Sequence, residues 1–193
     1  MTVCVRMGSV CLAALTLLLT VWNCDSESDT GGKSAITNES IQCGSIGPDS
    51  DKAVSLENEV VTLVNERRQV GADCGTGGIF GAAPPLTMNA QLQCAARAHT
   101  NDMVARNFFD HISPDGTDPF GRIENAGYVF SAAAENIAAG DTTAVEVVQG
   151  WMASDGHCAN IMNPEFIHIG VGFANGDVSN TFGTYWTQTF GAP

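Results

Sequence analysis

The chain has 193 residues, 21 acidic and 8 basic, for a formal charge of −13. It therefore lacks the basic surface that neutralises phosphates, which excludes nucleic-acid binding and makes an anionic membrane a poor partner. No repeat or heptad pattern divides it, and its length suits one domain of ordinary size behind a terminal extension.

The extension reads as an export signal. Arg6 supplies a positive start, and the apolar run from Ser9 to Val21 is short for a bilayer span. Residues 1–24 are expected to be this signal. No Ala-x-Ala cleavage site is visible. Cys24 follows the apolar run as a lipoprotein cysteine would, although Trp22 and Asn23 are large for that signal. Export to the exterior or periplasm is expected either way, with a lipid anchor at Cys24 as one form of it. Residues 25–52 are rich in Ser, Asp, Gly and Thr and read as a flexible linker, because they bury too little to offset backbone ordering. Residues 53–193 form the folded domain.

Seven cysteines are present. Cys4 and Cys11 leave with the signal, and Cys24 is the odd one. Cys43, Cys74, Cys94 and Cys158 form an even set, which in an oxidising compartment favours two disulfides with three connectivities open. No Cys-x-x-Cys pair occurs, which argues against a zinc–thiolate cluster.

Within the domain, Val60, Leu63, Val64 and Arg67 recur at helical spacing, and Gly71 stops the run, predicting a helix over 56–71. A Gly/Pro-rich loop follows, from Cys74 to Pro85. Asn89 can cap an alanine-rich helix over 90–107, with Leu92, Ala96, His99 and Met103 on one face. His99 there is expected to be a satisfied core histidine. A short helix is expected within 118–128. Thr142 and Thr143 can cap another over 144–154, with Gly156 at its end. Then strands dominate. Ile167, Ile169, Val171 and Phe173 alternate with His168, Gly170 and Gly172, and the segment 184–191 is β-branched and aromatic, so a hairpin is predicted with His168 on the solvated side. Helices first and an antiparallel ribbon after give an α+β sandwich, because an apolar ribbon face must be covered.

Five segments carry a resemblance when taken in order: "HTNDMVARNFFDHISPDG", "AAENIAAG", "GWMASDGHCANIMNPEF", "IGVGFA" and "YWTQTFG". The chain resembles the CAP superfamily, whose domain is also called the SCP domain, in its bacterial secreted branch. The match covers nearly all of 56–193. The resemblance implies a three-layer α-β-α sandwich around a central antiparallel sheet. It also implies a cleft in which His111, Glu135 and His157 meet. Ala134 stands where the family has glycine, and Ser154 where eukaryotic members carry a second glutamate.

Two imidazoles and a carboxylate form a set that zinc accepts, with the fourth position left to water or substrate, and Glu135 or Ser154 could orient a ring. Cys158 directly follows His157, so a Cys74–Cys158 bridge would pin that histidine's loop and is the favoured pairing. Cys43–Cys94 then joins the linker's end to the second helix. The family's association with sterols, fatty acids and divalent metal favours a non-enzymatic binding module taking a lipid-like or envelope ligand, a reversible divalent metal, or both. The alternative is a metal-assisted hydrolase, a peptidase or cell-wall enzyme, with Glu135 as general base between His111 and His157. A purely structural surface protein is a third reading. Neither a Gly-x-Ser-x-Gly elbow around Ser154 nor a His-Glu-x-x-His motif is present.

Overall fold

Ser50 starts the first helix by accepting a hydrogen bond from the Ala53 N–H, and α1 runs Asp51–Val70 before Gly71 ends it at φ 82°. The structure, a computed structural model, describes residues 43–48 and 50–193. The expected signal, Cys24 and most of the linker lie outside those residues. The buried face of α1 is Ala53, Leu56, Glu57, Val60, Val64 and Arg68, so Arg67 points to solvent and Arg68 takes the inward place expected of it. The reason is polar. Arg68 donates to the carbonyls of Pro84, Ile161, Asn163 and Phe166 at 2.7, 2.7, 2.8 and 3.2 Å. It thus satisfies acceptors left at a helix end and tethers three chain segments to α1.

Short strands β1 (Ala72–Asp73) and β2 (Ile79–Phe80) form a small ribbon in the Gly-rich loop, and β3 (Thr87–Met88) precedes α2. Helix α2 (Ala90–Arg106) begins where Asn89 accepts from the N–H groups of Gln91 and Leu92, and it ends at Asn107 in the left-handed conformation. Asp118 caps α3 (Pro119–Asn125), with proline in its first turn. The alanine-rich segment Ala132–Ala139, which carries little strand propensity, is strand β4. A capping box of Thr143 and Glu146 opens α4 (Ala144–Met152). Gly156 does not end that helix. The chain turns at Ala153 and Ser154, and Gly156 lies in the first turn of a further helix, α5 (Asp155–Met162). Strands β5 (His168–Asn175) and β6 (Thr184–Ala192) form the expected hairpin.

The main sheet runs β3-β5-β6-β4. It is mixed rather than purely antiparallel, because β3 adds a two-residue parallel pair to β5, while β4–β6 and β5–β6 are antiparallel. Ile169, Val171, Phe173, Trp186 and Phe190 face α1, α4 and α5, where Trp151 and Ile161 complete the larger core. On the other face α2 and α3 pack Leu92, Ala95 and Ile123, and Met103 meets Ile137 and Tyr185. Three layers result, as expected. The glycine side of β5 is covered rather than solvated: a Cβ on Gly170 would lie 2.1 Å from the Leu92 carbonyl carbon, and one on Gly172 2.7 Å from that of Ala96. Glycine lets the α2 backbone lie directly on the strand. At the start of that strand His168 Nδ1 meets the Tyr128 hydroxyl at 2.7 Å.

Two disulfides staple these layers, Cys43–Cys94 across 51 residues and Cys74–Cys158 across 84. The first fixes the end of the linker to α2. The second ties α5 to the loop after α1. No helix among the described residues is long and apolar enough to cross a membrane.

Candidate functional site

Strand β4 is the edge of the sheet, and side chains from both helical layers meet around it. Parity places Glu135 on the α2–α3 side and Asn136 on the α4–α5 side, opposite Thr189 and Gln188 of β6. His111 arrives from the loop after α2. Its turn is set by Asp110 accepting the Ile112 N–H and by the Ser113 N–H donating to the Thr117 carbonyl. His157 arrives from the opposite layer, on the first turn of α5.

Glu135 and His111 are in direct contact. The His111 Nδ1–H donates to Glu135 Oε1 at 2.8 Å, which fixes the tautomer and leaves Nε2 as a free acceptor on a ring 43 % exposed. Glu135 is otherwise enclosed. Arg122 of α3 donates from Nη2 to both of its oxygens, at 3.1 and 3.0 Å, and from the same nitrogen to the His111 carbonyl at 2.7 Å. Its Nη1 reaches the Thr117 carbonyl and the Ser113 hydroxyl, and Ser113 in turn donates to Asp102, which pairs with Arg106. One buried guanidinium therefore holds both the carboxylate and the loop that carries His111.

His99 lies behind this pair, fully buried, with Nε2–H donating to the Asp110 carbonyl at 3.0 Å and Nε2 3.9 Å from Glu135 Oε1. Burial above all drives its pKa down to about 4, although the Glu135 charge opposes this. His99 is thus a neutral core residue that buttresses the loop; it is in the core as expected, but only half satisfied, because its Nδ1 has no partner among the described residues.

On the other side of β4, Asn136 Nδ2 donates to the His157 carbonyl at 3.2 Å and to Gln188 Oε1 at 3.0 Å, and Asn160 Nδ2 donates to Asn136 Oδ1 at 2.8 Å. This amide network sets the start of α5, and the disulfide at Cys158 fixes it from behind. The His157 pKa is lowered, first by burial and then by the nearby His111 charge, so the ring is neutral at ordinary pH. Ser154 is the N-cap of α5, but its hydroxyl makes no capping hydrogen bond. Among the described residues, the buried side-chain nitrogens without partners are His99 Nδ1, Arg122 Nε and Gln188 Nε2. Each belongs to the networks around Glu135 or Asn136, and such groups concentrate where a fold serves something besides stability.

The structure thus brings His111 against Glu135, with His157 close enough to sense the His111 charge. It does not make the three a common ligand set. Both oxygens of Glu135 are engaged by Arg122 and His111, and no group of three or more His, Cys, Asp or Glu among the described residues is arranged to hold a metal ion. A three-ligand zinc cage does not fit. What remains for any ligand of the cleft is two imidazoles, one of them oriented by a carboxylate. The same engagement leaves Glu135 poorly placed as a general base, since its lone pairs are committed to buried donors. Sequence reasoning did not single out Arg122 or Asn136. The signal for Arg122 was a basic residue inside the short apolar helix of a chain that has only 8 basic residues.

Comparison with known proteins bears on the family and the fold. The family model for the cysteine-rich secretory protein family (CAP) matches residues 61–190. An uncharacterized protein, YkwD, of Bacillus subtilis (strain 168) is 37% identical over 165 residues, 86% of this chain and 57% of that protein, so the chain spans little more than half of its relative. An extracellular protein containing a SCP domain from Bacillus anthracis superposes with a TM-score of 0.58 at 26% identity, over 76% of this chain and 45% of that one. An outer surface protein of Borrelia burgdorferi does so at 0.53 and 20% identity, over 69% and 86%, which speaks to the fold alone.

Proposed function

The chain belongs to the cysteine-rich secretory protein (CAP) family, and on that footing we propose that it is an exported ligand-binding module rather than an enzyme. Its cleft offers the His111 and His157 imidazoles to a divalent cation such as zinc, bound reversibly. The observation that carries this reading is the double engagement of Glu135 by Arg122 and His111, which makes the carboxylate an orienting group and leaves the His111 Nε2 turned outward. Export is supported by the apolar N-terminal run, by two disulfides, which persist in oxidising compartments, and by the extracellular and outer-surface relatives. A lipid-like ligand has less support, because the apolar groove beside His157 holds only about 300 Å3 and has an acidic residue, Asp141, in its lining.

Calorimetric zinc titration of the purified domain tests the proposal. The wild type is expected to bind in the micromolar range, as two side-chain ligands allow, and the His111→Ala, His157→Ala double variant to lose at least tenfold in affinity. Equal binding by the two proteins would remove His111 and His157 from the site.

A further inference from the structure

The two edges of the main sheet are treated differently. Past the short β3, the Glu57 carboxylate accepts the Phe173 N–H of β5 at 3.3 Å and pairs with Arg97 from α2, so that edge is closed by side chains. The other edge is β4. The bond from the Gly140 N–H to the Thr184 carbonyl sets the parity of the β4–β6 ladder, so Glu135, Ile137 and Ala139 present their main-chain groups outward. Asn160 and Trp151 donate to the carbonyls of Glu135 and Ile137. No hydrogen bond from a described residue takes the Ile137 N–H, or either main-chain group of Ala139.

A groove of about 300 Å3 runs beside this open end, with Ile137, Ala138 and Ala139 along its floor. One wall is α4 and the start of α5, with Val147, Trp151 and His157; the other is Phe109 and Phe182, packed edge to face at 5.6 Å and both partly exposed. No Lys or Arg lines it. Asp141 does, just past the end of β4, and the hydrogen bonds it accepts from Thr184 and Trp186 both go to its main-chain carbonyl, not to its carboxylate. Burial pushes the Asp141 carboxyl up, and the neighbouring Glu146 charge pushes it the same way. An incoming cation would relieve both effects.

We propose that this groove binds an extended peptide segment carrying a lysine or arginine, its main chain pairing with the open groups of Ile137 and Ala139 and its cationic side chain reaching Asp141. A strand added to the edge sends alternate side chains to opposite sides, one set toward Trp151 and Val147 and the other toward Phe109 and Phe182. The acidic lining selects the sign of the guest, and the main-chain donors select a peptide over an acyl chain, which offers the edge no hydrogen bonds. The inference deepens the binding reading above and rests on it, naming a partner for the groove that His157 lines.

The test is selection from a displayed library of random heptapeptides against the whole chain, followed by fluorescence anisotropy on labelled hits. Enriched sequences are expected to carry Lys or Arg. Asp141→Asn is expected to weaken a hit at least tenfold, whereas Glu59→Gln, an exposed acid remote on α1, changes it less than twofold. N-methylation of alternate backbone amides of the hit is expected to abolish binding for one set of positions and spare the other. An empty selection, hits without charge preference, or hits indifferent to both Asp141→Asn and N-methylation would overturn the proposal. So would displacement of every hit by laurate that binds equally well to Asp141→Asn, which would assign the groove to acyl chains. Zinc is titrated separately on the same proteins: hits that bind the wild type while His111→Ala keeps its zinc affinity count against the ion reading alone, and zinc binding that is lost in His111→Ala while the selection yields no peptide counts against the peptide alone.

Discussion

Arg122 and Glu135 are 13 residues apart in sequence, yet each is the other's main partner inside the protein: one guanidinium nitrogen contacts both carboxylate oxygens at 3.1 and 3.0 Å, and neither side chain is more than 5 % exposed. Removing one member strands a buried charge. Arg122→Met is expected to cost about 3–5 kcal/mol in urea unfolding, and pairing it with Glu135→Leu to restore much of that loss. Because Arg122 also holds the His111 and Thr117 carbonyls, the single variant should weaken zinc binding as well. A loss under about 1 kcal/mol would show the pair to be dispensable.

Acid is expected to destabilise the domain before its carboxylates protonate. His99 has a folded pKa of about 4 against about 6.5 in an unfolded chain, so between those values the unfolded state binds more protons. Stability is therefore complete above about pH 6.5 and declines as pH falls toward 4, by up to about 3 kcal/mol from this residue. His157, also lowered, acts in the same direction. Unfolding midpoints measured at half-unit steps should flatten in this window for His99→Gln. An unchanged slope would place the proton uptake elsewhere.

The glycines of β5 should not tolerate even a methyl group. Ala at Gly170 would press on the Leu92 main chain and Ala at Gly172 on that of Ala96, and a helix backbone cannot yield as a side chain does. Each substitution is expected to cost about 3 kcal/mol or more, at the upper end for overpacking. Gly183→Ala, with nothing within 4 Å of its added carbon, should be nearly neutral. Similar melting temperatures for all three would contradict the direct seating of α2 on the sheet.

The two disulfides should separate in function while resembling each other in stability. Loops of 51 and 84 residues each imply about 4 kcal/mol of chain-entropy stabilisation. Only the longer one holds α5, so Cys74→Ser, Cys158→Ser should also weaken zinc binding, whereas Cys43→Ser, Cys94→Ser should leave it unchanged. Equal zinc affinities in the two double variants would show that the amides of Asn136 and Asn160 suffice to place His157.

Much of this molecule is written in local chemistry. Asn89 and Thr143 announce helices because a cap needs only the next three N–H groups. The alternation from Ile167 to Phe173 announces a strand because neighbouring side chains must point to opposite faces. The five ordered motifs name the family, and His111, Glu135 and His157 were legible as the residues to watch.

What the sequence could not decide lies between segments far apart in the chain. Alanines 132–134 and 138–139 favour a strand only because β6 offers them a ladder. Gly156 reads as a helix stop, but the turn comes earlier, at Ser154, and α5 begins there. The glycine face of β5 reads as solvated until α2, from far earlier in the chain, is laid over it. Whether Glu135 would join His111 as a ligand or merely aim it depended on Arg122, whose reach is a property of the folded loop rather than of any spacing. Composition, caps and periodicity act within a turn or two of chain. The pairing of buried charges, the closing of one sheet edge and the openness of the other are set by which surfaces the three layers bring face to face.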